Sequence, residues 1–312
     1  MPDNNEDLRR RLARTFGNST PDQAVNRVRA IVGTTRLPEN AEGGLAKDGL
    51  AALQRGDEPT PKQLAALELM LRMMRPAPRF IDHTPEDLDP DFVALFPTWP
   101  SFQQAIKPFA LAVGRIDLVS EDKPLGTGFL VRPNLVMTNR HVLDAASAGT
   151  GKLERGQAAI FFGKEFQTPD EAPVDIVGVK AVHDTLDIAL LEVDAVAQTP
   201  LNVAATGPQK GDMVVAVGFP YNDPARNPLF ISTIFGNRFG IKRAAPGDVV
   251  NVKQGGQLWQ HDCSTLGGNS GSPVFSMTTA QVVGLHFGGG FLWRNDAVDA
   301  AVLTEFITTH AH

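Results

Sequence analysis

Gly267-Gly268-Asn269-Ser270-Gly271-Ser272-Pro273 decides how this 312-residue chain is read. Glycines on both sides of Ser270 permit a tight turn that aims backbone N–H groups inward. A serine hydroxyl is a poor nucleophile until a base removes its proton and amides bind the resulting oxyanion. The stretch therefore reads as a nucleophile loop, with an ordinary Gly/Ser connection between strands as the alternative.

Two stretches upstream supply what such a serine needs. Thr138-Asn139-Arg140-His141-Val142 follows a strand pattern that includes Gly126-Thr127-Gly128-Phe129-Leu130-Val131, so His141 leaves a hairpin with its imidazole available as a base. Asp187-Ile188-Ala189-Leu190-Leu191 sets a carboxylate at the mouth of a continuous apolar strand, where it can hold an imidazole tautomer. Asp184 competes for that role within His183-Asp184-Thr185-Leu186-Asp187.

Around these motifs the chain changes character twice. Helical spacing is predicted over 5–16, 21–32, 45–54 and 61–75; Thr20-Pro21 and Thr60-Pro61 open two of these helices, and Gly17, Gly33, Gly43-Gly44 and Gly56 separate them. Pro76-Ala77-Pro78 ends this helical module, residues 1–79. Residues 80–110 are dense in proline, too dense for regular elements, yet carry Phe92, Phe96, Trp99, Phe102 and Ile106. They read as an arm packed on the C-terminal domain. From 111 onward, short strands are predicted at 111–119, 126–132, 135–139, 157–163, 174–183, 187–193, 212–219, 229–235, 257–262, 272–276 and 281–287, closed by a helix from Ala297 to Thr309. That pattern is an all-β barrel or sandwich domain.

Composition narrows the function. With 42% hydrophobic and 21% charged residues the chain is globular. A net charge of −6 gives no global basic field for nucleic acid or anionic lipid, although residues 1–79 carry +3 and the remainder −9. One cysteine, Cys263, excludes an internal disulfide framework and reads as a small core residue. The start, MPDNNEDLRRR, has no secretory pattern, and no apolar run suits a membrane span. A cytoplasmic protein without nucleic-acid or membrane partners is expected. The seven histidines form no ligand-spaced set, so neither a metal nor another cofactor is expected.

GTGFLV, MTNRHVL, DIALLEV, GGNSGSPV and VVGLHFGG, in that order over about residues 110–310, resemble the chymotrypsin-fold serine peptidases, in particular their bacterial trypsin-like branch. His141 and Asp187 lie 46 residues apart, and Asp187 and Ser270 lie 83 apart, which suits a triad divided between two β-barrels. The resemblance implies Ser270 as nucleophile, His141 as base and then acid, and an oxyanion hole from the N–H groups of Gly268 and Ser270. It favours Asp187 over Asp184 as orienter, because the family's carboxylate immediately precedes the apolar strand. It also implies a pocket for the residue cleaved after (P1), walled by Cys263–Leu266 and Gly284–Gly289. Ser264 stands where Arg/Lys-cleaving members keep an Asp. Thr265 and His286, with Gly288 beside them, resemble the residues with which glutamyl endopeptidases hold an acidic P1, a hydroxyl and an imidazolium donating to its carboxylate. Arg29–Gly33 resembles a zymogen's Ile-Val-Gly terminus, but Ile31 precedes His141 by 110 residues and Asn269 lacks the carboxylate a new α-amine would need. The expected protein is thus an all-β double-barrel peptidase domain with a C-terminal helix over 111–312, preceded by an all-α module. It would be an intracellular serine endopeptidase acting on protein or peptide substrates, with residues 1–79 as a regulator or partner-binding adaptor. The alternative is a catalytically silent peptidase fold used as a binding scaffold.

Overall fold

The computed structural model describes residues 2–32, 44–169, 171–222, 228–253, 255–290 and 294–311. Gly33 and Gly43, expected to separate helices, lie outside them. Four helices lead: α1 (Pro2–Phe16), α2 (Pro21–Val32), α3 (Gly44–Arg55) and α4 (Pro61–Met73). The two Thr-Pro starts use the same capping chemistry. Gln63 N–H donates to the Thr60 hydroxyl while Gln63 Oε1 accepts from Thr60 N–H, and Thr20 and Gln23 repeat the exchange. Leu8, Leu12, Val25, Val28, Leu50, Leu67 and Met70 fill the space between the helices. α4 differs from its sequence pattern, which gave it one apolar stripe. Every residue from Ala66 to Met73 is buried, Glu68 and Arg72 included, because its polar face also packs inward.

The proline-dense arm is more regular than its composition predicts. A hairpin pairs β1 (Phe80–Ile81) with β2 (Thr84–Pro85), its turn made by Asp82 and His83 at positive φ. Helices α5 (Pro90–Val93) and α6 (Trp99–Ile106) follow. Pro90 and Pro100 sit in the first turns, where a missing N–H costs no helical hydrogen bond. Phe80, Phe92, Phe96, Trp99, Phe102 and Ile106 are buried.

Two closed six-stranded barrels make up the rest. The first contains β3 (Val113–Leu118), β4 (Lys123–Arg132), β5 (Leu135–Thr138), β6 (Ala158–Phe161), β7 (Val174–Val182) and β8 (Ala189–Val193), joined in the order β3-β4-β5-β8-β7-β6. Helix α7 (Arg140–Ala146) leaves the end of β5. The second contains β9 (Met213–Gly218), β10 (Arg243–Val252), β11 (Leu258–His261), β12 (Pro273–Ser276), β13 (Val282–Gly290) and β14 (Arg294–Asp299), ordered β10-β11-β14-β13-β12-β9.

Three expectations are corrected here. The predicted strand 229–235 lies in helix α8 (Pro228–Phe235), where Ile231, Ile234 and Phe235 are buried at helical spacing. A short apolar run does not distinguish the two periods. Strand β10 went unpredicted because Pro246 interrupts it. The proline is tolerated because β11 pairs only from Val249 onward, so position 246 has a partner on the β9 side alone. The last helix, α9 (Ala300–His310), starts three residues later than predicted, capped by Asp299, because 297–299 finish the polar strand β14.

Candidate active site

His141 lies in the first turn of α7, directly after β5, and Asp187 directly before β8. Thr138 and Ala189 pair across these two strands, so the ladder brings the imidazole and the carboxylate together. One carboxylate oxygen accepts the His141 backbone N–H at 3.0 Å; the other meets Nδ1 at 2.6 Å. Asn139 donates to the Asp187 carbonyl and Arg140 to that of Leu186, while His183 Nδ1 accepts from Thr185 and Leu186 N–H. Asp184, the competing acid, is exposed. Burial alone would push the Asp187 carboxyl up, but the side-chain and backbone hydrogen bonds from His141 prevail and hold it below its ordinary value. An ionised carboxylate only accepts, so Nδ1 carries a proton, and in the neutral ring that leaves the lone pair on Nε2.

Thr127 of β4 ties the Ser270 loop to the first barrel. Its N–H donates to the Ser270 carbonyl at 2.8 Å and its hydroxyl to the Gly268 carbonyl at 2.7 Å. A side chain on Gly126 would strike both Val142 and the Ser270 carbonyl, which places the Ser270 loop against the residue next to His141. Gly268 and Gly271 have φ of +90° and +87°, and a Cβ on Gly271 would lie 1.9 Å from the Thr127 carbonyl, so both positions require glycine. Among the described residues no hydrogen bond joins Ser270 Oγ to the imidazole; such bonds often close only around substrate.

The loop peptides are aimed by what holds their carbonyls. Tyr221 N–H donates to the Gly267 carbonyl at 2.7 Å, and Ser272 N–H to the Asn269 carbonyl at 2.9 Å. In a trans peptide N–H and C=O point oppositely, so Gly268 N–H and Ser270 N–H face away from these anchors. Neither donates to an internal acceptor among the described residues. Two free amides beside a serine hydroxyl are what a developing oxyanion needs.

The pocket residues divide. Thr265 Oγ1 donates to Asn295 Oδ1 at 3.0 Å, and Asn295 Nδ2 donates to the Cys263 carbonyl at 2.6 Å, so one asparagine joins the segment before Ser270 to β14. A Cβ on Gly288 would meet only open space, whereas one on Gly289 would strike Asn295. His286 lies behind, buried, with Nδ1 3.3 Å from His261 Nε2. Ser264 is buried, and its hydroxyl donates to the Arg75 carbonyl at 2.7 Å. Burial holds the His286 ring down at about 4 and pushes His261 well below its ordinary value.

A trypsin-like peptidase domain model matches residues 126–285, just over half the chain. The chain belongs to the trypsin-like peptidase family. A probable serine protease of Lysobacter enzymogenes is 26% identical over 91% of this peptidase and 84% of its own length, a span that reaches into the helical segment. The Staphylococcus aureus glutamyl endopeptidase is 28% identical over 56% of this chain and about half of that protein. A serine endoprotease from Yersinia pestis shares the fold, with a TM-score of 0.50 at 18% identity over 67% of this chain and 65% of that one. The protein is a serine endopeptidase.

Sequence reasoning missed several residues that shape this peptidase's site. Thr127 stood inside a quoted motif, but its grip on the Ser270 loop spans barrels. Tyr221 and Asn295 carried no local signal. The buried histidines add a pH signature. Both rings are neutral in the fold, while unfolded histidine titrates near 6.5, so between about 6.5 and 4 the unfolded chain binds more protons. Stability is expected to fall as pH drops through that window. Urea midpoints should show it, and His286→Gln should flatten the slope; a midpoint independent of pH there would refute the burial argument.

Proposed function

We propose that Ser270, His141 and Asp187 are the catalytic triad and that the Gly268 and Ser270 N–H groups are the oxyanion hole. His141 Nε2 takes the hydroxyl proton as Ser270 Oγ attacks the scissile carbonyl carbon. The two amides hold the oxyanion, and His141 returns the proton to the leaving amine. Water then releases the acyl group by the same route. The two-point clamp of Asp187 on His141 carries this reading, because it fixes the one tautomer in which Nε2 can act as a base. Labelling by a fluorophosphonate probe, lost in Ser270→Ala, tests it; an unlabelled native protein would favour a silent scaffold. An intracellular setting belongs to the same reading, supported by a chain whose single cysteine leaves no disulfide to maintain. So does regulation through residues 1–79, supported by their docking on the barrel that carries Ser270.

We further propose an acidic P1 preference, supported by Thr265 and His286 near the open space at Gly288 and by the glutamyl endopeptidase relative. An arriving carboxylate supplies the negative charge that raises the His286 imidazole back toward protonation. Cleavage after Glu is expected to exceed cleavage after Gln by roughly 10-fold or more, to weaken as pH rises, and to vanish in His286→Ala. A peptide library read by mass spectrometry decides it. Efficient cleavage after Arg, Lys or large apolar residues, unchanged by that substitution, would remove this assignment.

A further inference from the structure

Three consecutive residues at the start of the pocket wall, Asp262 to Ser264, are held by Arg72 at the end of α4 and by Arg75 just past it. Arg72 Nη1 donates to the carbonyls of Asp262 and Cys263 at 3.0 and 2.9 Å. Arg75 donates to both carboxylate oxygens of Asp262 at 3.0 and 2.9 Å, and its own carbonyl accepts the Ser264 hydroxyl. The Cys263 carbonyl is shared with Asn295, which also accepts from Thr265. A direct path therefore runs from α4 through Cys263 and Asn295 to the residue facing the pocket. Arg72 is buried, and its Nε and Nη2 have no hydrogen-bond partner among the described residues. Desolvating a guanidinium for two carbonyl contacts is a poor stabilising arrangement. What those contacts do is fix the position of residues 262 and 263.

We infer that Arg72 is a positioning residue for the P1 pocket, so that the helical segment sets the peptidase's specificity wall in cis. This rests on the peptidase reading above. The pocket wall is shared between the second barrel and a helix whose sequence lies almost 200 residues earlier. Loosening Arg72 leaves Ser270 and its oxyanion amides anchored through Thr127 and Tyr221, and releases only the wall.

The test uses the full chain. Native protein, Arg72→Met and Arg72→Lys are compared on peptides carrying the P1 side chain that the native protein prefers and on the same peptides with P1 glycine. The rate of labelling by a small alkyl fluorophosphonate is measured alongside. In Arg72→Met, kcat/KM for the preferred P1 is expected to fall roughly 10- to 100-fold, mainly through KM. P1-glycine turnover and labelling should stay within about threefold, because neither needs the wall. Arg72→Lys, which keeps a donor for the carbonyls, should recover part of the loss. Equal losses on all substrates and on labelling would show a merely structural arginine and overturn the inference. Unchanged kinetics in a labelled protein would overturn it alone. Failure of the native protein to label through Ser270 would overturn the peptidase reading, and this inference with it.

Discussion

Ser270→Ala is expected to lower kcat by roughly 10⁶-fold without unfolding the protein, because it removes one oxygen from a half-buried site. Asp187→Asn is expected to cost roughly 10⁴-fold. The carboxylate engages both the backbone N–H of His141 and Nδ1; an amide in its place can turn its NH₂ toward Nδ1 and move the imidazole proton to Nε2. The base would then already be occupied. Asp184→Asn, on an exposed side chain, is expected to change kcat less than about twofold. Burst and steady-state kinetics on one peptide substrate settle all three. A large effect at 184 with a mild one at 187 would reverse the choice of acid.

Arg75→Met carries the largest expected effect on stability. Arg75 is buried, and its guanidinium pairs with Asp262 and with Asp248, whose backbone N–H also donates to Asp262. Removing it leaves buried carboxylates underpaired, at a cost of about 3–5 kcal/mol. Arg11, 3.6 Å from Asp262, and Arg14, on Asp248, compensate only in part. A second substitution, Asp262→Asn, removes one orphaned charge while keeping an acceptor for Asp248 N–H, and should recover part of the loss. Urea unfolding followed by the fluorescence of the buried Trp99 and Trp259 measures both. A loss below about 1 kcal/mol would mean that Arg75 is not what holds the helices to the second barrel.

What could be read from the sequence was local. Each of the three candidate catalytic side chains sits in a short motif whose neighbours serve it directly: Asn139 and Arg140 brace the Asp187 loop, and Gly268 and Gly271 permit the turn around Ser270. The strand pattern located all six strands of the first barrel. It failed at β10, where Pro246 breaks the pattern, and at β14, whose Arg294-Asn295-Asp296 start reads as a loop. It misassigned α8, because an apolar stretch that short fits either period. The hydroxyl of Ser264 donates to the Arg75 carbonyl across 189 residues of sequence. No local pattern encodes such a contact. Nor does the helical spacing of 61–75 announce that Arg72 meets the Asp262 and Cys263 carbonyls.

The order of the chain gives the contact between α4 and the second barrel a consequence for biosynthesis. Arg75 and Asp262 are 187 residues apart. At about 5–20 residues per second, Arg75 leaves the ribosome roughly 10–40 s before the carboxylate that pairs with it. During that interval α4 and the turn after it have no surface on which to bury Arg72 and Arg75, so this part of the helical segment settles late. Asp262, Cys263 and Ser264 emerge only just ahead of Ser270, and all come after Thr127. A growing chain therefore holds no finished cleft at any length short of the second barrel, and proteolytic competence waits on the segment from Asp262 through Ser270 rather than accruing by degrees.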